Sequence, residues 1–280
     1  MDPERPSVTA ERAAARRAVH QLVDRPLVFE DPLALRILGH TESELRSDAE
    51  AAGAGSSRVL RAFLAARSRY AEDALAEAVS RGVRQYVVLG AGLDTFAYRN
   101  PHEGLRVLEV DRPATQAWKR RRLADAHIGI PESLTFAHVD FERETLAEAL
   151  SRAGFDAGRA AVFSWLGVTP YLSRDAVVAT LRFAASAGAG SEIVFDFAVD
   201  PSSLEGKRRQ AFESLAGRVA ALGEPFMTFF DPRTLAGDLV ALGFRRADVV
   251  GPDELDARYF RGRTDGLCLR GVGHLAHARL

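Results

Sequence analysis

The chain has 280 residues, 47% of them hydrophobic, and its 37 basic and 38 acidic residues leave a formal net charge of -1. This length supports a sizeable core in one large or two small domains, and the balanced charge gives no reason to expect a nucleic-acid partner. The apolar stretches are too short and too broken to span a bilayer, so we expect no membrane segment. The single cysteine, Cys268, cannot close an intrachain disulfide, and the charged N-terminal sequence lacks an apolar signal segment. Both features predict a cytoplasmic protein.

The N-terminal sequence predicts helices. Apolar residues recur at three- and four-residue spacing through "VLRAFLAARSRYAEDALAEAV", which is typical of an amphipathic helix. Two prolines interrupt the helical pattern in "RPLVFEDPLALRIL". We therefore expect a helical cap or substrate lid over residues 1–80 and a second domain over residues 81–280.

The second domain alternates short aliphatic runs with helix-length stretches. The runs, which predict seven strands, are "QYVVLG", "LRVLEV", "LTFAHV", "AAVFSWL", "EIVFDFAV", "FRRADVV" and "DGLCLRGV". Most are aliphatic enough to be buried on both faces, as in a parallel sheet covered by helices. The last two are separated by a polar, turn-rich segment and should pair antiparallel. The predicted fold class is α/β, with a doubly wound, Rossmann-like, mostly parallel sheet and an N-terminal helical cap.

The turn after the first strand, "VVLGAGLDTF", predicts a ligand site. In a doubly wound sheet, ligands bind at the carboxyl ends of the strands, beside the first one. Gly90 and Gly92, with Ala91 between them, would let a cofactor approach the main chain closely because glycine has no Cβ atom. Any tight strand-to-helix turn also favours glycine, so this pattern alone is weak.

Acidic residues at the next two strand ends strengthen that prediction. Glu109 lies nineteen positions after Gly90, the spacing at which an acid reaches ribose hydroxyls, and Asp111 follows it. The alternative for these two acids is a solvated strand end, with Asp111 beginning the next helix. Asp140, followed by Phe141, suits an adenine amino group and ring, although Asp140 also fits a helix N-cap. Together the three strand ends predict a bound nucleoside.

The residues of the first turn distinguish between a dinucleotide and S-adenosylmethionine as the cofactor. Dinucleotide folds usually carry a third glycine where this chain has Thr95. Asp94 adds a negative charge, which is unfavourable for a pyrophosphate but compatible with a sulfonium or ammonium group. These residues favour S-adenosylmethionine. An NAD(P)-dependent oxidoreductase is the weaker alternative.

Five segments carry a family resemblance: "VVLGAGLDTFAYR", "VLEVDRPATQAWKRRRL", "HVDFE", "SWLGVTPYLSRDAV" and "YFRGRTDGL". They resemble the leucine carboxyl methyltransferase-like branch of class I S-adenosylmethionine-dependent methyltransferases, over most of the chain. That branch includes bacterial natural-product O-methyltransferases and carboxyl methyltransferases acting on a protein C-terminus. The resemblance implies cofactor contacts at Gly90, Glu109, Asp140 and Phe141.

The resemblance adds two residues outside the strand ends. Arg67 corresponds to an arginine that meets the cofactor carboxylate, for which a guanidinium fork is well suited. Arg69 is the alternative for that role. Tyr171 matches a tyrosine beside the reacting centre, where a phenol could orient the acceptor oxygen.

One departure from the family pattern affects the methionine end of the cofactor pocket. The commoner pattern has Glu-Gly where this chain has Leu166-Gly167, so an acid is missing. Either backbone carbonyls near Ser164 replace it, or the pocket differs. The loss also leaves open a non-catalytic S-adenosylmethionine-binding protein.

The methyl acceptor is expected to be a small molecule. Its pocket is predicted between the cap and residues 200–231, whose aromatic residues suit an apolar metabolite, although core packing is the simpler interpretation for most of them. None of the seven histidines is a convincing general base, although His20 and His40 could face the substrate. Arg258 and Tyr259 are candidates to hold a substrate carboxylate. We therefore expect an O-methyltransferase acting on a carboxylate or phenol of a polyketide-like or other natural product, as a monomer or homodimer without a metal.

Overall fold

The structure, a computed structural model, describes residues 8–51, 56–139 and 144–280. Four helices precede the sheet: α1 (Val8–Val23), α2 (Ala34–Leu38), α3 (Glu42–Ala51) and α4 (Ser56–Ser80). The strands are β1 (Gln85–Leu89), β2 (Arg106–Asp111), β3 (Leu134–His138), β4 (Val162–Trp165), β5 (Glu192–Val199), β6 (Phe229–Phe230), β7 (Arg246–Val250) and β8 (His274–Arg279). The helices among them are α5 (Pro113–Asp125), α6 (Leu146–Arg152), α7 (Arg174–Ala185), α8 (Gly206–Ala220), α9 (Leu235–Ala241) and α10 (Pro252–Tyr259).

The strands form one sheet in the order β3-β2-β1-β4-β5-β8-β7, and β6 pairs with the end of β5. Strands β1 to β5 are mutually parallel, whereas β8 runs antiparallel to both β5 and β7. The predicted fold class is confirmed. Because the strand order reverses between β1 and β4, a crevice opens at their carboxyl ends.

The first six predicted strands are confirmed, and the seventh is wrong. "DGLCLRGV" is irregular, and the chain pairs instead through "HLAHAR" in β8. Alanine and histidine have little strand propensity, so burial between β5 and β7 decides this strand. The segment between β7 and β8 contains α10, although the sequence predicts no helix there. Pro252 in its first turn, followed by Asp253 and Glu254, was the signal for that helix.

Helices cover both faces of the sheet. One face packs against α6, α7 and α9 in a core that contains Leu150, Leu181 and Leu239. The other face packs against α4, whose buried stripe, including Ala66 and Ala74, contacts residues of β5 and β8. Helix α4 therefore belongs to the layers of the sheet domain as well as to the N-terminal sequence, and the predicted division at residue 80 stays a prediction. Within the described ranges, no helix is long and apolar enough to cross a membrane.

Helix α1 lies beyond the carboxyl ends of the strands. Its buried residues Ala14 and Ala18 pack with α2, α3 and Leu93, which follows the glycine turn. The guanidinium group of Arg17 donates a hydrogen bond to the Leu93 carbonyl over 2.6 Å and pairs with Asp31 over 3.2 Å. These contacts hold α1 over the strand ends, where the candidate site forms.

Candidate cofactor and acceptor site

A cavity of about 890 Å³ lies at the carboxyl ends of β1, β2, β4 and β5. One side is formed by residues 88–94 and 166–168 and by the ends of β2 and β5. The opposite side is formed by α1, α4 and α8 together with residues 269–273. The volume lies in the range of cofactor and small-molecule sites, and the fold places it where ligands of doubly wound sheets bind.

The glycine turn lines this cavity as predicted. Gly90 adopts a left-handed φ of 65°, and a Cβ atom there would lie 2.3 Å from Cγ2 of Val168. Gly92 has a φ of 45°, and its Cβ would lie 3.1 Å from the Cβ of Ala10 in α1. The amides of Gly90 and Ala91 both donate to the Val110 carbonyl, which fixes the turn on β2. A Cβ atom does not fit at Gly90 and is tightly placed at Gly92, and both glycines line the cavity with main chain.

Asp111 at the end of β2 also lines the cavity. One carboxylate oxygen accepts a hydrogen bond from the Gly92 amide and the other accepts one from the Arg112 amide, both at 2.7 Å. Burial raises the pKa of Asp111, although these two amides counteract that effect. The carboxylate is therefore held rigidly beside the glycine turn.

Glu109 does not line the cavity. It is 1% exposed, and its carboxylate pairs with the Lys119 ammonium group of α5 over 2.6 Å. The Tyr98 hydroxyl donates to the same oxygen over 3.4 Å. Burial raises the pKa of Glu109 to about 7, against the lowering effect of Lys119. Residues two positions apart on a strand are separated by about 6.6 Å. Glu109 therefore lies about that distance farther than Asp111 from the carboxyl end of β2, where α5 covers it.

The structure therefore does not bring Glu109 and Asp111 together around one ligand, and of the two only Asp111 faces the cavity. The expected adenine contacts, Asp140 and Phe141, lie outside the described residues.

Arg67 of α4 lies in the cavity wall and pairs with Asp196 of β5 over 2.5 Å. The other Asp196 oxygen accepts a hydrogen bond from the Gly167 amide over 2.5 Å. Gly167 has a φ of 74°, and a Cβ atom there would lie 2.9 Å from the Arg67 guanidinium group. Arg69 lies outside the wall and pairs with Asp73 over 2.6 Å.

Asp196 was missed by the sequence analysis. It lies within "EIVFDFAV", which is buried along its whole length. An acid in the interior of such a run was the available signal, because buried charges need a partner or a function. In this chain Asp196 supplies a carboxylate next to Gly167, close to the position of Leu166.

Tyr171 lines the cavity, and its ring centroid lies 5.4 Å from that of Phe226. Burial raises the pKa of Tyr171 to about 12, although a hydrogen bond with Thr9 and the charge of Arg67 lower it. At neutral pH the side chain is therefore a neutral phenol that can donate a hydrogen bond. Ser164 and Leu166 also line the cavity, and Ser164 is 3% exposed.

The far wall of the cavity is apolar. Of the aromatic and sulfur side chains expected there, Phe212, Phe226 and Met227 line it, whereas Phe229 and Phe230 do not. Leu215 and Val219 of α8 add to the wall, as do Phe63 and Leu64 of α4. This half of the cavity suits an aromatic or aliphatic ligand.

Several expected substrate contacts lie elsewhere. His20 is fully buried, where it bonds the Asp24 carboxylate over 2.8 Å and accepts from the Val28 amide, and His40 is exposed outside the cavity. Arg258 and Tyr259 pack around Asp73, and the structure does not bring them to the cavity wall. Among the described residues, no histidine lines the cavity and no group of three or more His, Cys, Asp or Glu could hold a metal ion.

Two solved structures share the fold. A putative methyltransferase from Thermobifida fusca superposes with a TM-score of 0.60 and 19% identity, covering 99% of this chain and 95% of that one. A DUF574 family protein from Streptomyces avermitilis superposes with a TM-score of 0.54 and 18% identity, covering 95% and 96%. These two likenesses show that the α/β fold is of the methyltransferase type.

Sequence comparison gives the family. The leucine carboxyl methyltransferase family model matches residues 10–185, more than half of the chain. A putative S-adenosyl-L-methionine-dependent methyltransferase of Bacillus subtilis, YktD, is 30% identical over 97% of both chains. A similarly named protein of Mycobacterium tuberculosis (strain H37Rv) is 31% identical, over 84% of this chain and 70% of its own. The chain belongs to the leucine carboxyl methyltransferase family and is a methyltransferase.

Proposed function

We propose that this chain methylates an oxygen, most readily a carboxylate, of a small-molecule natural product. Methyl transfer with S-adenosyl-L-methionine as the cofactor is supported by the family and by relatives named S-adenosyl-L-methionine-dependent methyltransferases. The acceptor and the oxygen are our proposal, as are action in the cytoplasm and a monomeric or homodimeric state. One observation carries it: a single cavity is lined by the glycine turn, the fixed Asp111 carboxylate, Tyr171 and the apolar side chains of α4 and α8.

The residues at the strand ends fit the cofactor. Gly90 and Gly92 line the cavity without a Cβ atom, as close approach of a nucleoside to the main chain requires. Asp111 would accept from the ribose hydroxyls in place of Glu109, because only Asp111 faces the cavity. Asp140 and Phe141 remain the candidates for the adenine.

Arg67 and Asp196 would bind the amino-acid end of the cofactor. That end carries one carboxylate and one ammonium group, and the two side chains offer the complementary charges 2.5 Å apart. Asp196 would then supply the acid that Leu166 lacks. In the free protein the charges of Arg67 and Asp196 neutralise each other. When the cofactor binds, Arg67 would pair with its carboxylate and Asp196 with its ammonium group.

When bound, the cofactor supplies an electrophilic methyl group on a sulfonium sulfur. The protein contributes alignment and a dry site, which together account for much of the rate in such displacements. Tyr171, a neutral phenol at neutral pH, would donate a hydrogen bond to the acceptor and orient it. A carboxylate acceptor is already ionised at neutral pH and needs no general base, in keeping with a cavity wall whose described residues include no histidine.

The first test is calorimetric titration with S-adenosylhomocysteine and, separately, with NADH. We expect saturable binding of the first and none of the second. Binding of NADH without binding of S-adenosylhomocysteine would favour the NAD(P)-dependent oxidoreductase over the methyltransferase. Binding of neither ligand by the folded protein would contradict the proposed cofactor site.

The second test identifies the oxygen. The protein is incubated with S-adenosylmethionine carrying a tritiated methyl group and with pools of carboxylic and phenolic metabolites. Methyl esters release tritiated methanol in alkali, whereas phenol ethers do not, so volatile label after base treatment identifies a carboxylate acceptor. S-Adenosylhomocysteine binding without transfer to any pool would favour the non-catalytic alternative.

A further inference from the structure

Three arginines form a cationic group at the acceptor end of the cavity. Arg12 and Arg16 lie four residues apart on α1 and therefore share one face of that helix. Arg218 lies on α8, and all three line the cavity. We refer to these three residues as the arginine cluster.

The charge of the arginine cluster is not neutralised within the described chain. No carboxylate of the described residues lies within ion-pair distance of its members, whose hydrogen bonds go to neutral acceptors. Arg16 donates to the Arg12 carbonyl, and Arg218 donates to the Ser214 hydroxyl, both at 3.2 Å. The Arg16 Nε is buried without a hydrogen-bond partner. The neighbouring Arg61, in contrast, forms a bidentate pair with Asp24 at 2.8 and 2.9 Å.

The charge of Arg16 is unfavourable at this position without a ligand, whereas Arg12 and Arg218 are exposed to solvent. Burial lowers the pKa of Arg16, and the charges of Arg12, Arg218 and Arg61 lower it further. A buried donor without a partner adds to this cost. Both costs are removed by an anion that accepts from the guanidinium groups.

Within the arginine cluster, Arg16 lies away from the reacting end of the cavity. Thr9 contacts Tyr171, and Arg16 follows Thr9 by seven residues, which along an α-helix is about 10 Å. The apolar side chains of Phe63, Leu64 and Val219 line the same cavity. The cofactor carboxylate already has a separate candidate in Arg67.

We propose that the acceptor carries a second group, an oxyanion, which the arginine cluster binds at the end opposite the methylated oxygen. Guanidinium forks bind the planar carboxylate and the phosphate alike, through paired hydrogen bonds. The acceptor is then an amphipathic anion with an apolar body up to about 10 Å long, the axial distance along α1 from Thr9 to Arg16. This inference rests on the proposed function and narrows its substrate class.

The test uses three ligands of one chain length. Octanoate, octyl phosphate and octanamide are titrated calorimetrically into the protein, with and without saturating S-adenosylhomocysteine. We expect at least one of the two anions to bind about tenfold more tightly than the amide, and the stronger anion identifies the oxyanion. Arg16→Gln and Arg218→Gln should each remove most of that preference. Arg208→Gln, on the same α8 but outside the cavity wall, is the matched control and should retain it.

Equal affinity for the acid, the phosphate and the amide overturns the inference, as does the absence of binding by all three. An unchanged preference in both cluster variants, with melting temperatures like that of the parent, also overturns it. S-Adenosylhomocysteine binding is measured in the same samples. If S-adenosylhomocysteine does not bind, the proposed function is contradicted. If it binds but the protein shows no preference for the anions, only the role of the arginine cluster is contradicted.

Discussion

The two ends of the cavity are built in different ways. The cofactor end consists mainly of strand residues and the turn between them: residues 88–94, Asp111 on β2 and Asp196 on β5, with Arg67 of α4 beside them. The acceptor end consists of side chains from α1, α4 and α8, which are far apart in sequence. At the first end the sheet topology fixes the geometry, whereas at the second the packing of helices fixes it. We therefore expect the cofactor end to be sensitive to backbone changes and the acceptor end to determine which molecule is methylated.

The largest loss of cofactor binding is expected from Gly90→Ala. Its Cβ would lie 2.3 Å from Val168, a short branched side chain that cannot easily move away, and the φ of 65° adds strain. We expect S-adenosylhomocysteine affinity to fall more than about 100-fold, measured by calorimetry.

Gly82→Ala is the control for that substitution. Gly82 has a φ of 98° but nothing within 4 Å of its Cβ position, so the control carries the strain without the clash. Comparable losses in both variants would show that strain, and not the close approach at the turn, accounts for the effect.

A smaller and more selective loss is expected from Arg67→Met. If Arg67 binds the cofactor carboxylate, the variant should bind S-adenosylhomocysteine about 30-fold more weakly. It should bind 5′-methylthioadenosine, which lacks the amino-acid end, nearly as well as the parent does. Arg69→Met should change neither affinity, because Arg69 pairs with Asp73 outside the cavity. Equal losses for both ligands in Arg67→Met would contradict the carboxylate role.

Asp111→Asn should weaken S-adenosylhomocysteine about tenfold, since one charge-assisted hydrogen bond is lost while the amide oxygen can still accept from the Gly92 amide. Glu109→Gln should change that affinity less than about threefold, because Glu109 pairs with Lys119 behind the wall. The same calorimetric titration on both variants decides which acid meets the ribose. A larger loss in Glu109→Gln would return the ribose role to Glu109.

The sequence predicts the cofactor end better than the acceptor end. Five parallel strands are readable because each is a short, largely apolar run, four of them almost completely buried, and the turn containing Gly90 and Gly92 follows directly from the first. Asp196 was not found because its role depends on β5 lying next to β4 and on α4 bringing Arg67 to it. Neither fact is local in the sequence.

Glu109 and the arginine cluster show the same limit. The spacing of Glu109 from Gly90 is correct for a ribose acid, but the position of α5 over β2 makes Lys119 its partner instead. Arg12 and Arg16 read as ordinary surface arginines of an amphipathic helix. Only the packing of α1 and α8 around one cavity, about 200 positions apart in the chain, brings them towards Arg218.

The smallest effect on cofactor binding is expected from Asp24→Asn, which acts on the frame of the acceptor end. Asp24 is 2% exposed, and although burial would raise its pKa, hydrogen bonds from His20 and Arg61 lower it to about 2. The folded pKa lies below the unfolded value, so the carboxylate stabilises the fold fully above about pH 4 and loses that contribution as the pH falls towards 2.

Denaturant unfolding followed from pH 7 to pH 2 measures this contribution, up to about 2 kcal/mol in the parent. Asp24→Asn should be less stable at pH 7, because Arg61 loses its partner, and should lose stability less steeply below pH 4. Its affinity for S-adenosylhomocysteine at pH 7 should stay within about twofold, since Asp24 joins α1 to α4 without lining the cavity. Asp253→Asn, on the surface of α10, is the control and should follow the parent. A parallel loss of cofactor affinity and stability in Asp24→Asn would mean that the two ends are not independent and that the helices set the geometry of the strand ends as well.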